Sequence, residues 1–154
     1  MGDELHARSG CNFVLITDGQ WIDQRNLVDY HQAFGIGEIA DLVLSVNVGA
    51  YAIEMANPRH EHEWRVWEEL PLPEDKVLIP GVIAHTTNVV EHPELIAERI
   101  VRLANVVGRE RVLAGTDCGF AQGPYVRRVH PTIMWAKLRS LVEGAQLAST
   151  KLWP

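Results

Sequence analysis

The sequence predicts an α/β fold of parallel strands, organised as part of a (β/α)8 TIM-type barrel. Three observations lead there. From Glu38 onward the chain reads helix, strand, helix, strand, helix, strand, helix, the alternation that right-handed βα units produce. Glu54, His85 and the Asp117-Cys118 pair all fall where strands end, and parallel strands bring such ends to one rim. The chain has 154 residues, whereas a closed eight-fold barrel takes about 250, with roughly 200 as a lower limit. Three clear βα units and a fourth less regular one therefore make about half of a barrel, or a small open sheet.

Each element has a local reason. Asn12 to Ile16 reads as a modest strand followed by the turn-like Thr17-Asp18-Gly19, and Trp21 to Phe34 carries no clear period. Gly35-Ile-Gly-Glu-Ile-Ala40 has GxGxxA spacing. The stretch before it supplies no buried strand, so a dinucleotide loop is not expected. Ile39, Leu42, Val43 and Val46 predict a helix that stops near Gly49. Ala50 to Ala56 is a strand closed by Asn57-Pro58, a good cap and first-turn pair for a polar helix reaching Leu70. After the loop at Pro71 to Asp75, Lys76 to Ile83 is a strand interrupted by Pro80-Gly81, which predicts an irregular end. Pro93 opens the clearest helix, ending near Gly108, with Ile96, Ile100, Leu103 and Val107 buried and Glu98 and Arg102 on the wet side. Arg111 to Gly119 is a strand running into a polar turn. A Gly/Pro-bearing loop follows, then a helix from about Thr132 to Ser149 that buries Met134, Leu138, Leu141, Ala145 and Ala148.

Composition narrows the function classes. An apolar share of 47% and a charged share of 22% describe an ordinary globular chain. A formal net charge of -6 argues against nucleic acid or an anionic membrane as partner. No apolar run approaches the roughly 20 residues of a membrane span, and no signal peptide is visible at the start. Cys11 and Cys118 then read as reduced thiols, and a cytoplasmic protein is the expectation.

Glu54 is the sharpest anomaly, a carboxylate within an apolar strand. Burial without a partner is costly, so it calls for a cation, a metal or several donors, unless it sits at a solvated strand end. Cys118 has three readings: metal ligand, nucleophile or small core residue. A glutamate with a cysteine suits zinc, although catalytic zinc usually has three protein ligands and an open position. His85 is a candidate third group, a general acid or an ordinary loop histidine. His60-Glu61-His62-Glu63 is not HExxH, and histidines two apart on a helix diverge, so a solvated polar face is expected there. Trp64 and Trp67 read as a packing pair. The Gly115 to Gly119 turn is not G-x-S-x-G, so a serine hydrolase is not indicated.

Ala50–Met55 with its glutamate, Lys76–Ile83 with its Pro-Gly-Val ending, and Gly115-Thr-Asp-Cys-Gly119 resemble, in order and spacing, the C-terminal part of the catalytic barrel of the cobalamin-independent methionine synthase family. The likeness runs from about Glu38 to Trp153. Residues 57–64 and 86–93 are similar to a shorter, single-barrel branch related to the epoxyalkane–coenzyme M transferases. The resemblance implies a zinc-dependent methyltransferase of the 5-methyltetrahydropteroyltriglutamate–homocysteine type, acting in methionine biosynthesis, in which zinc activates the acceptor thiol. It makes Glu54 and Cys118 metal ligands, places Asp117 at the substrate's amino group, and, with a one-residue shift, gives His85 a proton-transfer role. Ala84 stands where many members have aspartate. The family's His-x-Cys ligand pair has no counterpart upstream, so the zinc site is expected to be incomplete. The division implied is a divergent segment, 1–37, joined to a half-barrel, 38–154, as in a truncated or rearranged member. The expected partners are a small-molecule thiol and a methyl donor. The alternatives are epoxyalkane–coenzyme M transferase-like thiol alkylation, or an inactive half-barrel that self-associates through open sheet edges.

Overall fold

The computed structural model describes residues 13–16, 35–120 and 129–154. His6, Cys11, His31, the turn at Thr17-Asp18-Gly19, the stretch 21–34 and most of the loop before Pro131 lie outside the described residues. Among the described residues four strands, β1 (Phe13–Ile16), β2 (Ala50–Ile53), β3 (Val77–Ile83) and β4 (Gly115–Thr116), lie side by side in sequence order. Every pairing is parallel, with Ala50 opposite Phe13 and Val77 opposite Ala50. Helices α1 (Ile36–Ser45), α2 (Val66–Glu69), α3 (Pro93–Val107) and α4 (Pro131–Leu152) are interleaved with the strands. This is the predicted mixed α/β architecture, consistent with part of a βα barrel. Among the described residues, no helix is long and apolar enough to cross a membrane.

The side chains of β2 alternate. Tyr51 and Ile53 are buried in a core formed with Ile36, Val43, Trp67, Leu78, Leu103 and Val107, and Ala50 and Ala52 on the opposite face are half-buried. Burying residues such as Leu78 contributes about 1.5–3 kcal/mol each. A second core under α3 and α4 collects Val82, Ile83, Ile96, Ala97, Ile100 and Ala148. The two long helices start alike. His92 and His130 cap them, each ring accepting a hydrogen bond two residues on, and Pro93 and Pro131 follow. They also pack closely. A Cβ on Gly144 would lie 2.5 Å from Ile96 Cγ2, so only glycine lets α4 approach α3 there.

Several expectations change. Helix α1 starts at Ile36, so its buried stripe is Ile36, Ala40 and Val43, and Leu42 is 70% exposed rather than buried. β1, within residues 1–37, pairs with β2. β2 ends at Ile53, three residues earlier than predicted. The helix expected from Pro58 to Leu70 is instead a turn, a 3-10 segment (Glu61–Arg65) and the single turn α2. Asn57 still caps it, its Oδ1 accepting from Arg59 N and His60 N. The strand predicted over Arg111–Gly119 shrinks to Gly115–Thr116, with one bridge from Val112 to Leu78. The cause lies opposite, where Pro80 offers no N–H and the register shifts between Gly81 and Ile83. In α4, Met134, Leu138, Leu141 and Ala145 are only half-buried, and the buried line is Lys137, Ser140, Gly144 and Ala148.

His60-Glu61-His62-Glu63 is not a solvated face. His60 and Glu63 are buried, with His60 Nδ1 3.1 Å from Glu63 Oε1, and Glu61 bonds the buried Arg99 of α3. Glu63 Oε2 also accepts from Ile36 N at the start of α1, and a Cβ on Gly35 would meet Glu63 Oε1 at 2.9 Å. The chain's own carboxylate therefore fills the helix start that a GxGxxA loop would offer to a phosphate. Trp67 packs in the core and Trp64 lies against it, as expected of a packing pair.

Candidate metal centre

Glu54, His85 and Cys118 meet at the carboxyl ends of β2, β3 and β4, where a parallel sheet collects its chemistry. One ligating atom from each lies within 4.8 Å of the other two, and His85 Nδ1 is 3.9 Å from Glu54 Oε1. Glu54 and His85 are buried and Cys118 is half-buried. Asn57 Nδ2 donates to Glu54 Oε2 at 3.4 Å, so the carboxylate that looked anomalous in an apolar strand sits among polar partners, not at a solvated strand end.

The three positions exist because each strand stops at the cluster. β2 leaves its ladder after Ile53, and the next amides turn to Asp117: Met55 N and Ala56 N donate to Oδ1 at 2.9 and 2.8 Å. Asn57 Nδ2 reaches Asp117 Oδ2 at 3.4 Å. Asp117 itself is fully buried, and its backbone N–H donates to Ile83 O. Burial pushes its carboxyl above the usual carboxylate range, against the opposing pull of the Ala56 and Met55 amides, Asn57 and His85. Gly81 allows this packing, since a Cβ there would lie 2.1 Å from Asp117 Oδ1 and 2.7 Å from its Cα. The geometry turns Asp117 inward to hold the end of β2. Cys118 follows directly, in a turn where Thr116 Oγ1 donates to Cys118 O at 3.0 Å.

β3 ends in a second set of buried polar contacts. Ala84 N donates to Glu91 Oε1 at 2.8 Å, Glu91 Oε2 accepts from Lys137 Nζ at 2.8 Å, and Ser140 Oγ donates to Glu91 O. Arg99 spans both strand ends, its guanidinium donating to Val82 O at 2.9 Å and to Ala56 O at 3.4 Å. The sequence reading missed these residues. Arg99 and Lys137 lie on helices and Glu91 in the loop before α3, and Lys137 is 46 residues from its partner, so no local pattern pairs them.

The donor set fits zinc. Tetrahedral zinc with bonds of about 2.0–2.3 Å spaces its ligand atoms about 3.5 Å apart, so a contraction of roughly 1 Å closes this triangle. Oxygen, nitrogen and sulfur are all zinc donors, and three protein ligands leave a fourth position open, the catalytic pattern.

These features define a parallel βα half-barrel with a glutamate, a histidine and a cysteine converging at its rim. In structure the chain is similar to a B12-independent methionine synthase from Shewanella sp. W3-18-1 solved with selenomethionine, with a TM-score of 0.61 and 20% identity. The match covers 75% of this chain and 30% of that one, so the chain spans about a third of the enzyme's length. At that identity the likeness establishes the fold. No protein-family description matches the sequence, and no curated protein is similar to it.

Proposed function

We propose that the chain is a methionine-synthase-like module for zinc-dependent methyl transfer to a small-molecule thiol. The observation that carries this reading is the convergence of Glu54, His85 and Cys118 within 4.8 Å at the carboxyl ends of parallel strands. The fold shared with a B12-independent methionine synthase supports it. Glu54, His85 and Cys118 would hold zinc, which when bound favours the thiolate of a coordinated acceptor, the reactive form of a thiol. His85 then replaces ligation that the absent His-x-Cys pair supplies in the family, which moves it from proton transfer to the metal. Asp117 and Asn57 keep Glu54 at the rim, and Thr116 fixes the turn that presents Cys118.

The test is methyl transfer from a methyl-folate to homocysteine by the zinc-loaded chain, followed as methionine formed. Activity that needs zinc and falls at least 100-fold in Cys118→Ala and Glu54→Ala is expected for residues that hold the reacting group. No transfer, or transfer indifferent to both substitutions, overturns the reading. Transfer to other thiols from an epoxide instead would favour the epoxyalkane–coenzyme M transferase-like alternative.

A further inference from the structure

The end of β3 is fixed from outside the sheet. Ala84 N–H, one peptide before His85, is satisfied by Glu91 Oε1 and not by a neighbouring strand. Glu91 is in turn fixed by α4, where Lys137 Nζ holds its other oxygen and Ser140 Oγ its main-chain oxygen. Lys137 is 0% exposed. A buried ion pair of this kind is a poor source of stability, because desolvating the two charges offsets much of their attraction, and apolar side chains of similar size do as well. What the pair does supply is direction. It fixes a carboxylate whose free oxygen meets one amide, at the strand end that carries His85.

We propose that the Lys137–Glu91 pair is a positioning device for His85, setting the backbone from which the imidazole reaches Glu54 and Cys118. Metal affinity at the rim then depends on a helix that contributes no ligand. The assignment rests on the zinc-site reading above. Partners behind metal-bound histidines commonly change affinity 10–100-fold when removed, and here the partner acts through the histidine's backbone.

Cobalt(II) binding to the metal-free full chain, measured by chelator competition and thiolate-to-cobalt absorption, tests both levels. Glu91→Leu/Lys137→Met removes the acceptor and the cation together, leaving no lone buried charge, and is expected to weaken cobalt binding about 10–100-fold. Glu91→Gln/Lys137→Met keeps a carbonyl acceptor for Ala84 N–H and should bind within roughly threefold of the parent chain, a conservative rescue. In a His85→Ala background the leucine–methionine substitution should cost nothing further, because a positioning residue acts only through what it positions. Parent-like binding by Glu91→Leu/Lys137→Met, or an equal loss with and without His85, overturns the assignment while leaving the zinc reading intact. Failure of the parent chain to bind cobalt overturns both. If the leucine–methionine variant does not fold, Ser140→Ala carries the same cycle. It removes one hydrogen bond to Glu91 O, and a loss of roughly twofold to tenfold that vanishes without His85 is expected.

Discussion

The strand ends of β2 and β3 are held by two buried carboxylates of opposite construction. Asp117 supports β2 with neutral donors, two backbone amides and the Asn57 side chain, and burial disfavours its charge. Glu91 supports β3 with one backbone amide, and Lys137 matches its charge inside the protein. Both carboxylates face inward, while Glu54, one strand residue away from the Asp117 contacts, faces the rim. Similar side chains therefore take up scaffold and ligand roles according to which way the strand end turns. The two scaffolds should also fail differently, one through an orphaned charge and one through lost space or proton balance.

The largest expected effect follows from orphaning the charge. Lys137→Met leaves Glu91 buried without its cation and should lower unfolding free energy in urea by about 3–5 kcal/mol. Glu91→Gln/Lys137→Met should recover most of that loss, because a buried pair replaced by neutral groups costs little. Equal losses in the single and double variants would show that the two groups are not energetically coupled. On the β2 side, Gly81→Ala forces a Cβ against Asp117 and should cost about 1–3 kcal/mol, read in the same titration. Gly119→Ala, whose Cβ meets nothing within 4 Å, should stay within about 0.5 kcal/mol of the parent and serves as the matched control.

The smallest effect is in pH dependence. The folded-state pKa of Asp117 is raised, so its contribution is fully present below the ordinary value of 3.8 and is lost as pH climbs through the raised one. Asp117→Asn keeps an acceptor oxygen and cannot ionise. The difference in unfolding free energy should therefore shift in favour of Asp117→Asn as pH rises from about 3.8, and level off above the folded-state pKa. A difference that stays flat with pH would show that burial does not perturb this carboxyl.

Much of this was legible in the sequence because the signals are local. Proline at the first turn marked α3, apolar spacing marked its buried face, and alternation of helix and strand gave the parallel order. Glu54 and Cys118 stood out because polar groups at strand ends conflict with the apolar runs before them. The scaffold was not legible because its partners are distant. Lys137 and Arg99 fall at helical spacing within the apolar stripes of their helices, but their charges need Glu91, Val82 and Ala56 as partners, and nothing local in the sequence names those. The same holds for His60 and Glu63, whose setting depends on the start of α1. The short β4 has a further lesson, since an apolar run cannot complete a ladder opposite a proline.

The central claim is that Glu54, His85 and Cys118 together hold one zinc ion. X-ray absorption at the zinc edge of the loaded chain, with metal content measured on the same sample, tests it most directly. One zinc per chain is expected, with a single sulfur at about 2.3 Å and the remaining ligands nitrogen or oxygen at about 2.0–2.2 Å, the sulfur shell vanishing in Cys118→Ala. Substoichiometric zinc, or a shell without sulfur, would contradict it.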